Sequence, residues 1–75
     1  MNDGIFSHGV VKTFDSFKGF GFISREKGKD VFFFYNEIIE DNKTLYPGDE
    51  VIFTIIKKPK GPRAYNIKKS KSENK

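Results

Sequence analysis

The sequence has no cysteine and a single histidine, His8. Disulfide staples and thiolate metal sites are thereby excluded, a reducing compartment is compatible, and a zinc centre lacks its ligands. No apolar run approaches the roughly 18 residues that span a bilayer, and the opening MNDGIFSHG has neither the basic start nor the apolar stretch of a secretory signal. A soluble, cytoplasmic protein with no membrane partner is the expectation. Catalytic chemistry is also thinly supplied. His8 has no evident nucleophile partner, and Asp30, Glu37, Asp49 and Glu50 flank strands, where carboxylates ordinarily cap turns or solvate an edge. The GFG beside Lys18 lacks the GK[ST] ending of a phosphate loop and leads into a strand instead of a helix. No enzyme activity, cofactor or metal is expected.

What remains is one small domain. Seventy-five residues leave room for a single core of marginal stability. The net charge of +4 is unevenly spread: residues 1–37 carry five basic and five acidic residues, whereas residues 38–75 carry nine and five. From Lys57 to Lys71 there are seven basic residues and no acidic one, which favours an acidic partner on that side.

Turn-forming clusters recur at short intervals: DSFKG at 15–19, REKGKD at 25–30, LYPGDE at 45–50 and KKPKGPR at 57–63. Between them lie Val-, Ile-, Phe- and Tyr-rich runs of strand length. Five strands are expected, near 9–14, 19–24, 30–35, 50–57 and 63–69, the first three forming an antiparallel meander. In the connection 36–48, NEIIEDN is expected to form one helical turn capped by Asn36. Pro59 and Pro62 cannot donate ladder hydrogen bonds, so the stretch between them reads as a loop. An open sheet of this size would leave exposed edges and an uncovered apolar face, which argues for an all-β, closed or nearly closed barrel over residues 9–69. Residues 1–8 are expected to be a frayed lead and residues 70–75 a basic, disordered tail.

Strand alternation sorts the aromatics. Phe20 and Phe22 share one face of the second strand, and Phe32 and Phe34 one face of the third, with Val31, Phe33 and Tyr35 opposite. Val11, Ile23, Val31, Phe33, Val51, Phe53 and Ile67 already fill a small barrel, while the fourth strand is apolar on both faces. Gly21 is tolerable where a coiled strand leaves no room for a Cβ inside, which turns Phe20 and Phe22 outward and brings Phe32 and Phe34 beside them. Two readings stay open for these four rings: ordinary core packed under a loop or a second subunit, or an exposed platform. Lys12 and Lys18 on the meander, and Lys57, Lys58, Lys60 and Arg63 around the last turn, favour the platform, because rings that stack on bases beside cations that meet phosphates make a single-strand binding surface.

KGFGFI at 18–23 and DVFFFY at 30–35 resemble the two ribonucleoprotein motifs of the cold-shock domain family. The resemblance extends through GVVKTF at 9–14, LYPGDEVIFTI at 45–55 and KGPRAYNI at 60–67, nearly the whole chain. It implies a five-stranded antiparallel OB-fold barrel that binds single-stranded DNA or RNA and loosens RNA secondary structure. By position it implies nucleic-acid-binding roles for Lys12, Lys18, Phe20, Phe22, Phe32 and Tyr35, with Lys60 where the family often has a basic residue. Tyr35 must then turn outward at the strand's end, against the alternation. The sequence departs from the family pattern at Thr13, where a Trp is usual, at Phe34, where a His is usual, and around Asn42, where a ring is common. Phe34 can still stack but cannot donate to a base edge. Phe17 in the first turn either supplies the ring missing at Thr13 or covers the barrel mouth.

The functional expectation is a monomer that binds single-stranded RNA or DNA and acts as an RNA chaperone or regulator. The alternative is a protein-interaction or self-associating module, a homodimer included, that uses the same aromatic face.

Overall fold

The computed structural model describes residues 6–40 and 43–70. The terminal parts of the expected frayed lead and basic tail, and Asn42, lie outside the described residues. Five strands, β1 (Ser7–Asp15), β2 (Phe20–Ser24), β3 (Val31–Phe34), β4 (Glu50–Lys58) and β5 (Gly61–Lys69), close into a barrel in the order β1-β2-β3-β5-β4. Four of the five seams are antiparallel; the β3–β5 seam that completes the circle is parallel and pairs Phe32 with Arg63.

Alternation places Val11, Ile23, Val31, Phe33, Val51, Phe53 and Ile67 inside, joined by Ala64, Ile38 and Leu45. Each large side chain sealed in this way contributes about 1.5–3 kcal/mol of apolar transfer free energy. Gly21 is what lets the inner layer close. It stands between Phe14 and Phe33 in cross-strand register, and those two rings stack at 5.7 Å with their planes 17° apart. A Cβ on Gly21 would collide with the Thr13 carbonyl oxygen and come within 2.8 Å of the Phe33 ring.

Several expectations need correction. β1 begins at Ser7, so Ser7 and His8 are not frayed: they pair with Phe53 and Ile52 of β4. Ser70, assigned to the tail, still donates its N–H to the Glu50 carbonyl at 2.9 Å. The helical turn is a 3-10 turn over Tyr35–Glu37, and the residue at its cap is Phe34, with no side-chain cap bond; Asn36 lies within the turn. Pro62 is not loop but the second residue of β5, opposite Lys57 at the hairpin end, a place where a missing N–H costs little. β4 sorts by alternation after all, with Val51, Phe53 and Ile55 inward and Ile52, Thr54 and Ile56 outward.

The long connection supplies the barrel's plugs. Ile38 bridges to Ile67 in parallel, Ile39 donates its N–H to the Ile67 carbonyl at 2.7 Å, and Leu45 is buried farther on. The turn that follows docks on β1, where Gly48 donates to the Val11 carbonyl and the Val11 N–H donates to the Asp49 carbonyl, both at 2.8 Å. That docking coincides with a register shift between Val11 and Thr13. The intervening Lys12 has no strand partner on β2 and points into solvent, as expected of a bulge residue.

Candidate nucleic-acid interface

Because opposed residues of paired strands share a face, the register lines up two outward rows. Thr13, Phe22, Phe32 and Arg63 run across β1, β2, β3 and β5, and Asp15, Phe20 and Phe34 run beside them across β1, β2 and β3. Phe32 is the hub. Its ring centroid lies 5.6 Å from Phe20, 5.6 Å from Phe22 and 4.8 Å from Phe34, at interplanar angles of 34°, 68° and 87°. Edge-to-face and tilted pairs of this kind are each worth about 0.5–1.5 kcal/mol beyond area burial, so the row is held in place by its own members. Phe22 and Phe34 remain 38% and 37% exposed, while Phe20 and Phe32 are half-buried.

Tyr35 does turn out, because β3 ends at Phe34 and the 3-10 turn breaks the alternation. Its N–H donates to the Gly19 carbonyl at 2.9 Å, and its ring lies against Gly19, whose φ is +80° and whose absent Cβ would sit 3.0 Å from that ring. The β1–β2 turn is built on Asp15. The N–H groups of Phe17 and Lys18 donate to Asp15 Oδ1 at 3.0 Å each, and Gly19 N–H donates to the Asp15 carbonyl at 2.7 Å. This lifts Phe17 to the tip, 96% exposed. Phe17 therefore does not cover the barrel mouth.

The cations fall on three sides. Lys18 is exposed on the β1–β2 turn. Lys12 is also exposed, but its Nζ lies 2.9 Å from Asp30 Oδ2 in an ion pair that is open to water. Lys60 sits at the tip of the β4–β5 hairpin and, with Lys58 and Arg63, faces Phe22, Phe32 and Phe34 across an open cleft of about 670 Å³. Lys12, Phe17, Lys18 and Tyr35 are not among the residues lining that cleft. The structure thus gathers four of the candidate rings into one surface, with Lys60 across the cleft and Tyr35, Phe17, Lys18 and Lys12 on the turns and bulge around it.

Arg63, one of the cations the sequence groups around the last turn, and Tyr65, which the sequence does not single out, complete the row's far end. Arg63 lies with its guanidinium carbon 4.4 Å from the Phe34 centroid and 5.2 Å from that of Tyr65. Their spacing, one residue apart around the inward Ala64, is the alternation signal that could have grouped them. Among the described residues no cluster of three His, Cys, Asp or Glu could hold a metal ion, and no helix is long and apolar enough to cross a membrane.

A closed five-stranded barrel of this order, with an aromatic row on one outer face, defines an OB-type module. Residues 7–70 match the family model of the 'Cold-shock' DNA-binding domain. The chain is 47% identical over 62 residues to Cold shock-like protein CspC of Bacillus cereus, covering 81% of this chain and 95% of that one. It is 45% identical over 64 residues to the Major cold shock protein of Streptococcus pyogenes, covering 84% and 96%. Among solved structures it is similar to drosophila Unr CSD456, with a TM-score of 0.76 and 26% identity over 89% of this chain; it spans 27% of the fly chain. The chain belongs to the cold-shock domain family.

Proposed function

We propose that this protein binds single-stranded nucleic acid, RNA or DNA, by stacking bases on Phe20, Phe22, Phe32 and Phe34 while the surrounding cations meet phosphates. One observation carries the reading: Phe20, Phe22 and Phe34, each packed on Phe32, look outward with it across the β2–β3 seam. A buried-core role for them has no support, since the barrel interior is filled by a separate set of side chains. Membership of the cold-shock family supports nucleic-acid binding as the general activity. Tyr35 and Phe17 are assigned as peripheral stacking positions, and Lys12, Lys18 and Lys60 as phosphate contacts.

The mechanism follows from the surface chemistry. Stacking contributes on the order of 1–3 kcal/mol per base and tolerates any sequence, because every base has a π face. Bases are available only when unpaired, so binding shifts hairpins toward open strands, which is the action of an RNA chaperone or of a regulator that works through RNA structure. Thr13 removes one ring from the row's β1 end, so affinity is lower than for a relative with a ring there, by about 1–3 kcal/mol.

Titration with oligothymidine and oligouridine at several salt concentrations tests the reading. With about 3–5 phosphates engaged, log K falls against log salt with a slope near −0.7 per phosphate. Saturable binding with that slope is expected. A flat dependence, or a stable dimer in sedimentation whose formation hides the phenylalanines, would overturn it in favour of a protein-interaction module.

A further inference from the structure

At the β5 end the aromatic row does not finish in a bare ring. The guanidinium of Arg63 lies over Phe34 at 4.4 Å and over Tyr65 at 5.2 Å, and Lys58 Nζ stands 6.0 Å from the Tyr65 centroid. Arg63 is fixed by the barrel's register: it is opposite Phe32 across the parallel seam and opposite Ile56 across the β4–β5 seam. Its Nε is buried without a hydrogen-bond partner, so the donors left to act are those at the guanidinium's end. Tyr65 is held in turn opposite Thr54. Two cations are thus held against aromatic faces beside a cleft that already carries Lys60 and the three rings Phe22, Phe32 and Phe34. Lysine and arginine side chains in solution lose much entropy on being ordered; ring contacts made in advance reduce that loss.

Resting on the single-strand reading above, we propose that Arg63 and Lys58 form a preformed phosphate clamp, ordered by Tyr65, that grips the backbone of the strand as it leaves the aromatic row. Arg63 supplies a planar fork of N–H donors suited to phosphate oxygens, and Lys58 a point charge beside it. Tyr65 is a positioning residue that touches the cations and sets where they stand. At this end the strand is held by charge, and at the Phe22–Phe32 centre by stacking.

The experiment is oligothymidine and oligouridine titration across salt concentrations with R63Q, R63K, K58Q, Y65A and Y65F, and with F32A alongside; thermal unfolding verifies that each is folded. R63Q and K58Q are each expected to flatten the log–log salt slope by about 0.7. Y65A keeps every charge, yet is expected to weaken binding by about 2- to 10-fold, with Y65F restoring it because the ring, not the hydroxyl, holds the cations. R63K is expected to keep the wild-type slope and still bind more weakly, because it keeps the charge and loses the fork; should R63Q fail to fold, wild-type affinity in R63K overturns the clamp instead. An unchanged slope in R63Q, or wild-type affinity in Y65A, overturns the clamp. If F32A loses affinity in the same series, only the clamp has failed; if F32A also binds as wild type, the single-strand reading has failed with it.

Discussion

Phe22 and Phe32 stand directly opposite one another across the β2–β3 seam, their ring centroids 5.6 Å apart and their planes at 68°. An edge-to-face pair of this kind leaves part of each ring open while fixing its angle. The contact therefore prepares a surface for stacking without burying it.

Phe32 touches the other three rings of the row, so its removal should weaken binding more than that of Phe22 or Phe34. We expect F32A to lose about 1–3 kcal/mol of affinity for oligouridine and, because three ring pairs go with a half-buried ring, at least about 1.5 kcal/mol of stability. Phe33 one position on is sealed in the core, and F33A should cost about 3–5 kcal/mol. Urea unfolding of the pair checks this, and equal destabilisation would place Phe32 in the core.

Thr13 is exposed and lies opposite Phe22 in the same outward row. A T13W variant places a ring beside Phe22 with no core to disturb. Affinity for single strands is expected to rise by about 1–3 kcal/mol, with stability within about 0.5 kcal/mol of wild type. Fluorescence quenching of the new indole by added oligonucleotide gives the readout, and an unquenched indole would sink the idea.

Lys12 shares its charge with Asp30 at 2.9 Å. Both groups are substantially exposed, so the pair contributes little to stability, about 0–1 kcal/mol at most. D30N releases Lys12 for a phosphate. Its salt slope should steepen by up to about 0.7 relative to wild type, with the unfolding midpoint nearly unmoved; an unchanged slope would show that Lys12 makes no phosphate contact.

Gly21 and Gly48 separate two kinds of glycine. G21A forces a Cβ against the Thr13 carbonyl and the Phe33 ring and should destabilise by about 1–3 kcal/mol or more. At Gly48 a Cβ meets open space, but φ is +99°, so G48A should cost about 1 kcal/mol through backbone strain alone. Thermal unfolding ranks them, and G48A being the more damaging would contradict this account.

The strands and seven of the core side chains are legible in the sequence because alternation is a local rule: each inward residue is two positions from the next. Ile38 and Leu45 escape it since they reach the core from a connection without period, and their burial depends on where β1 and β5 happen to pass. Tyr35 escapes for the opposite reason, lying one residue beyond the point at which β3 stops. Arg63 reads in sequence as one of several cations around the last turn, and Tyr65 carries no signal of its own. Only the parallel β3–β5 seam, which joins segments about thirty residues apart, brings Arg63 to the Phe34 ring.

The chain's own order of residues determined the five strands and which rings share a face of each, because side-chain direction along a strand is set by neighbours in sequence. Barrel closure decided the rest. It determined which rings touch, which lysine is paired with a carboxylate, and which cations stand over aromatic faces, since those distances depend on the register between strands far apart in the chain, and register is fixed only when the whole core packs at once.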